Sequence, residues 1–217
     1  IKKSFKNNHY IIFGANKLEE ITGSYYNSFL LVNNELEIIQ QYNKQKLVPF
    51  GEFLPFENLL KKFGLKKITE GTGSFKKGTT QNNIKVDQLN ILPLICYEII
   101  FTKFIQESNF ETNLVINISE DGWFGDTIGP NQHYAKAVFR AVEKGTFLLR
   151  SANKGISVIL NNKGMPVKKL NNNEAGNIEM EVPLIKSNNT KNDLIFFILL
   201  ITYLIIFNLK KKNYEKQ

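Results

Sequence analysis

The chain has 217 residues, 42% of them hydrophobic and 12% aromatic, which is enough for a sizeable core and excludes wholesale disorder. The formal net charge is +8, but the lysines are scattered beside asparagines and form no stripe; with no zinc-finger spacing and no RNA-binding signature, nucleic acid is not an expected partner. A single cysteine excludes an internal disulfide and leaves the compartment open.

Residue 1 is isoleucine and no signal peptide follows it, so the chain reads as part of a longer product. In chain order, HYIIFG (9–14) and YNSFLLVN (26–33) are rich in β-branched and aromatic residues and predict strands. NNE (33–35) predicts a turn before a third strand near 36–42. LPFENLLKKFG (54–64) has helical spacing, with proline near its start and glycine at its end. Residues 65–88, rich in Gly, Lys, Thr and Asn, predict a long loop. LNILPLICY (89–97) and NLVINIS (113–119) are nearly continuous apolar runs, expected of strands covered on both faces. NQHYAKAVFRAVEKG (131–145) predicts an amphipathic helix closed by glycine. TFLLRSA (146–152) and GISVILNNKG (155–164) predict two further strands, the second ending in a turn.

The last segment differs in kind. LIFFILLITYLIIF (194–207) carries no charge and is followed by KKK at 210–212. Fourteen residues are short, since a bilayer core needs about 20. With Asn208, Leu209 and snorkelling lysines, the pattern predicts a thin or tilted transmembrane helix over 194–209. It follows a polar linker (186–193) and precedes a basic tail (210–217), placed on the cytoplasmic side by its positive charge. Residues 1–185 form the main domain, on the opposite face of that membrane. A buried core helix is the competing reading of 194–207.

The only cysteine, Cys96, follows the buried run LPLI. Alone, such a residue is more often core than catalytic. Three stretches change the balance: YNKQKLVPFGEFLPF (42–56), INISEDGWFGDTIGPNQHYAKAVFRAVEKG (116–145) and LLRSANKGISVIL (148–160). A thiol needs a base or a positive field to react as thiolate, and a tetrahedral intermediate needs a donor at its oxyanion. Lys44 is a candidate donor for a Cys96 nucleophile. Glu52 and Glu98 lie near apolar strands, where a carboxylate must be paired or hydrogen-bonded; they line a site or form structural salt bridges. Trp123 is either a core aromatic or a substrate-side residue of its Gly/Asp-rich loop. His133 opens a helix and His9 a strand, so a Cys–His dyad is formally open. GTGSFKKG (71–78) lacks the order of a phosphate-binding loop, and no His/Asp/Cys cluster suggests a metal or cofactor.

Taken together and in this order, NKQKLVPFGEFLPF, FKKGTTQNN, LPLICYE, NISEDGWFGDTIGPNQHYAKAVFRAVEKGTFLLRSANKGISVI and the hydrophobic C-terminal segment resemble the apolipoprotein N-acyltransferases. These are bacterial inner-membrane enzymes whose periplasmic domain belongs to the nitrilase (carbon–nitrogen hydrolase) superfamily. The resemblance implies an α/β fold of the nitrilase αββα type, two stacked sheets with helices outside, here lacking its N-terminal edge. It places the catalytic lysine at Lys44 and the nucleophile at Cys96, with functional glutamates at Glu52 and Glu98 and a tyrosine at Tyr97. It favours a substrate-side or lid position for Trp123 and gives histidine no role. The family's general base is a glutamate in a Pro-Glu setting upstream of the lysine. Glu19 and Glu20 read as loop residues, and neither they nor Glu35 and Glu37 have that setting, so the base is expected before residue 1, as is the family's multi-helix membrane domain. The implied partners are a phospholipid acyl donor and a diacylglyceryl apolipoprotein acceptor, with no cofactor. A membrane-tethered amidase and a noncatalytic tethered module are the alternatives.

Overall fold

Strand-forming sequence and helix-forming sequence alternate from residue 84 onward, and that alternation sets the topology. The structure is a computed structural model that describes residues 5–6, 8–56, 74–79, 83–106, 111–187 and 193–214. Its contacts divide the chain into two compact units, residues 1–187 and 188–217.

In the first unit, β1 (Ile11–Glu19), β2 (Ser24–Val32) and β3 (Ile38–Asn43) form an antiparallel sheet with β2 in the middle. A second sheet holds β4 (Ile84–Val86), β5 (Leu89–Ile95), β6 (Leu114–Glu120), β7 (Leu148–Asn153), β8 (Ser157–Leu160) and β9 (Pro166–Leu170), side by side in chain order. β5, β6 and β7 are parallel, whereas β4, β8 and β9 join antiparallel. Parallel neighbours need crossovers. The first passes through the 3-10 turn Cys96–Ile100 and the helix α1 (Thr102–Gln106). The second passes through the 3-10 turn Asp121–Phe124 and the helix α2 (Gly129–Lys144).

The continuous apolar character of β5 and β6 follows from their place in the middle of a covered sheet. β2 faces β5 across the sandwich, and Phe29, Leu31 and Tyr42 share one core with Ile91, Leu92, Leu94, Val115, Leu148 and Val158. The buried positions of α2 are 130, 133, 137, 140, 141 and 144, a stripe at helical spacing. Ala137 and Ala141 on that stripe are fully buried, and their small size lets the helix approach β7 and the Cys96 turn. Gly145 ends α2 at φ 61°, a left-handed cap suited to glycine.

Several sequence expectations are corrected. β5 stops at Ile95, so Cys96 and Tyr97 lie beyond the strand. β1 extends to Glu19, which is a strand residue and not a loop residue, because it pairs with Ser24 across the hairpin. β4 forms inside the expected 65–88 loop through its pairing with β5, and β9 forms through its pairing with β8. The helix expected over 54–64 falls mostly outside the described residues, as does much of the loop after it.

The second unit contains the helix α3 (Asp193–Tyr214). The transmembrane span expected over 194–209 is not shown: among the described residues no helix is long and apolar enough to cross a membrane. The uncharged stretch of α3 before its lysines begins at Leu194, and its strongly apolar part ends at Phe207. At 1.5 Å per residue those 14 positions reach about 21 Å, against a hydrocarbon core of about 30 Å.

Candidate active site

Parallel strands deliver their C-terminal ends to one edge of the sheet, where loops can hold functional groups. Here β5 delivers Cys96 and β6 delivers Asp121 to the same edge, and Leu94, Asn117 and Arg150 lie in one register row across β5, β6 and β7. Cys96 has φ +50°, a left-handed conformation that is uncommon for a residue with a side chain. It breaks the extended run of β5 and starts the 3-10 turn, which accounts for the early end of the strand. Such a conformation costs of order 1–3 kcal/mol and persists only where the surroundings hold it. The thiol is free and partly buried.

Lys44 follows the end of β3. Its backbone is tied on both sides: its N–H donates to the Asn27 carbonyl at 2.8 Å, and its carbonyl accepts from the Gly78 N–H at 2.8 Å. A Cβ at residue 78 would overlap the Asn43 carbonyl, so glycine is what lets the 74–79 segment close on this strand end. The Lys44 side chain is 1% exposed, and its Nζ lies 2.8 Å from each carboxylate oxygen of Glu52. Glu52 also accepts from Asn27 Nδ2 and the Val48 N–H, both at 2.9 Å. Four contacts to one carboxylate hold the ammonium at a defined position.

Glu98 joins these two parts. It is fully buried two residues after Cys96, and its Oε1 accepts from Tyr42 Oη at 2.8 Å, the Gln45 N–H at 2.7 Å and the Lys46 N–H at 3.0 Å. Its Oε2 accepts from the Ile95 N–H at 2.9 Å. One carboxylate therefore clamps the loop that follows Lys44 to the turn that begins at Cys96. Burial pushes the Glu98 carboxyl above its ordinary value, while the four hydrogen bonds pull the other way. Burial, with Glu98 beside it, raises the Tyr42 hydroxyl.

The other sequence candidates lie further out. Tyr97 is 38% exposed and makes ring contacts with Phe101 and His133. Trp123 stands on the Asp121–Phe124 turn, 65% exposed, so it is not a core aromatic, and nothing in the geometry ties its indole to Cys96.

Sequence reasoning missed a second polar cluster, on the α2 side of the turn. His133 Nε2 lies 3.1 Å from the Cys96 carbonyl, and Nδ1 lies 3.0 Å from Asp121 Oδ1. Arg150 Nη2 donates to Asp121 Oδ2 at 2.6 Å, Arg150 Nη1 donates to Asn117 Oδ1, and Ser119 Oγ donates to Asp121 Oδ1 at 2.6 Å. Burial would raise the Asp121 carboxyl, but His133, Arg150 and Ser119 outweigh it and bring it down to about 2. Gly155 closes the cluster, since a Cβ there would overlap the Asp121 carboxylate. The available signal was the helical stripe, which puts His133 on the same buried face as Ala137, Arg140 and Ala141.

Residues 4–192 match the carbon-nitrogen hydrolase family. The apolipoprotein N-acyltransferase of Rhizobium leguminosarum bv. trifolii is 40% identical over 187 residues, 84% of this chain and 35% of that protein. Its counterpart in Brucella suis biovar 1 is 41% identical over 160 residues, 73% of this chain and 30% of that protein. The chain thus spans about a third of the length of the curated relatives it matches. Among solved structures, Saccharomyces cerevisiae Nit3, described as a member of branch 10 of the nitrilase superfamily, superposes with a TM-score of 0.58 at 18% identity, over 78% of this chain and 59% of that one.

Proposed function

This chain belongs to the carbon–nitrogen hydrolase family and has the α/β fold of the nitrilase superfamily; from that premise we propose that it is the catalytic part of an apolipoprotein N-acyltransferase, the activity named for relatives about 40% identical to it. The observation that carries the reading is the Glu98 clamp, which locks the Lys44 loop to the Cys96 turn. A bare surface lysine and a core cysteine need no such tie.

On this reading Cys96 is the nucleophile. Its proton passes to a general-base carboxylate. The sulfur attacks an ester carbonyl of a phospholipid, and negative charge develops on the carbonyl oxygen. An ammonium has three N–H bonds, and Glu52 occupies two of them at Lys44, which leaves one for that oxyanion. Collapse of the intermediate expels the lysophospholipid hydroxyl, which takes the proton back from the base, and leaves an acyl thioester on Cys96. The α-amino group of a diacylglyceryl-cysteine at a lipoprotein N-terminus then attacks the thioester. Its proton goes to the base, the thiol is restored, and the lipoprotein leaves N-acylated. Tyr97 and Trp123 line the approach to the thiol, and Glu52 and Glu98 position Lys44 and the turn.

The same reading assigns α3 to the bacterial inner membrane. It is apolar all round over 194–207, as bilayer contact requires, and the basic residues that follow in the sequence favour the cytoplasmic side. The catalytic unit then faces the periplasm, where lipoprotein N-termini are presented.

The test is covalent. The 217-residue chain, and a version extended upstream through the membrane domain, are incubated with phosphatidylethanolamine and weighed intact. An acyl adduct on the extended protein that vanishes in Cys96→Ala supports the acyltransferase. No adduct on either protein overturns it and favours an amidase acting on small amides.

A further inference from the structure

The mechanism above uses the Lys44 side of the turn and leaves the buried Asp121–His133–Arg150 cluster without a role. Its hydrogen-bond roles follow from its geometry. Asp121 is ionised near neutral pH, because its carboxyl is held down at about 2. A carboxylate and a backbone carbonyl offer only lone pairs. His133 Nδ1 faces the Asp121 carboxylate at 3.0 Å and Nε2 faces the Cys96 carbonyl at 3.1 Å. The carbonyl only accepts, so Nε2 donates to Cys96, while Nδ1 lies between the Asp121 carboxylate and Arg150 Nη2, the latter at 3.1 Å.

The groups facing the ring are Asp121 and Phe124 from the turn after β6, Arg150 from β7, and Cys96 and Tyr97 from the turn after β5. The Arg150–Asp121 ion pair is almost wholly buried, with the His133 ring beside it. Burial pulls the Arg150 guanidinium below its ordinary value, and negative charge on Asp121 and on Cys96 pushes it back. Among the described residues Arg150 Nε has no hydrogen-bond partner. The Cys96 carbonyl also accepts from Asn117 Nδ2 at 3.4 Å, so two donors grip the peptide unit whose φ is left-handed.

We propose that His133 is a positioning residue: set by Asp121 and Arg150, it donates from Nε2 to the Cys96 carbonyl and keeps the nucleophile in its left-handed turn. His133 acts through the peptide of Cys96 and does not touch the acyl group. The inference rests on Cys96 as the nucleophile, but its test needs no acyl donor.

Cys96 is the only cysteine, so alkylation of the full chain by iodoacetamide reports this thiol alone. His133→Gln carries its amide nitrogen far enough to replace Nε2 and keeps the donor to the Cys96 carbonyl. His133→Asn reaches only the Nδ1 position and keeps the donor to Asp121. The expected result at pH 7 is a rate within about twofold of the parent for His133→Gln and a loss of about tenfold for His133→Asn, because only the first keeps the donor to the Cys96 carbonyl. In urea all three must react alike. Equal rates for the two variants in the folded state would overturn the proposal. Should neither variant fold, the parent chain carries the test: nitrogen NMR of its two histidines at pH 7 must show one ring, assigned to His133 by its contacts, with Nε2 protonated. A ring with Nε2 unprotonated overturns it. Parent-like alkylation behaviour without any acyl adduct would instead defeat the acyl-transfer reading and leave this one standing.

Discussion

Two buried carboxylates flank the Cys96 turn, and they are stabilised in opposite ways. Glu98 is held by a phenol and three backbone N–H groups, all of them neutral. Asp121 sits against a guanidinium and an imidazole. Burial therefore wins at Glu98 and raises its carboxyl, whereas charge wins at Asp121 and brings it to about 2. The comparison separates two jobs. Glu98 ties backbone to backbone and fixes where Lys44 stands relative to Cys96. Asp121 holds a permanent charge that organises His133 and Arg150 behind the turn.

The largest effect that would break this contrast is expected at Asp121. Asp121→Ala leaves Arg150 buried without its ion-pair partner, and losing one side of a buried pair costs about 3–5 kcal/mol. Urea unfolding measures it; a loss under about 1 kcal/mol would show that water reaches the cluster. Glu98→Ala strands three backbone N–H groups and the Tyr42 hydroxyl, with an expected loss of about 3 kcal/mol, smaller because no charge is orphaned. That variant should also lose Cys96 acylation out of proportion to its stability, since the tie to the Lys44 loop is gone.

pH sharpens the contrast further, because the two carboxylates carry opposite signs. Asp121 is depressed from 3.8 to about 2. Its contribution is complete above pH 4 and is lost as pH falls from about 4 towards 2, amounting to at most about 2 kcal/mol. Glu98 is raised from 4.5. Its contribution is complete below pH 4.5 and declines as pH rises through its folded value. Unfolding curves taken from pH 2 to 8 should lose their acid-side fall in Asp121→Asn and their alkaline-side decline in Glu98→Gln; the reverse assignment would exchange the two roles. The smallest effect is expected for Tyr42→Phe, which removes one of four donors from Glu98 and should cost about 1 kcal/mol by thermal unfolding.

Much of the frame was legible in the residues. The runs at 26–33, 89–97 and 113–119 form β2, β5 and β6, and the stripe at 131–145 forms most of α2, because apolar periodicity reports which faces are covered. Lys44 and Cys96 stood out through the stretches around them. Legibility failed where pairing rather than propensity makes the element. β4 and β9 are short or exposed and exist through their neighbours in the sheet. The apolar run at 194–207 was legible as a helix, but its length falls short of a bilayer core.

By itself the sequence determined the α/β alternation, the apolar centre of the large sheet and the nucleophile candidate, since these depend on composition and spacing within one segment. Only the tertiary structure decided the rest. It turned Cys96 out of the strand, closed Glu98 onto the backbone beyond Lys44, and set His133 and Asp121 beside Arg150, 17 and 29 residues away in the chain. Contacts of that range arise when parallel strands and their crossovers bring distant strand ends to one edge, and a local pattern carries no record of them.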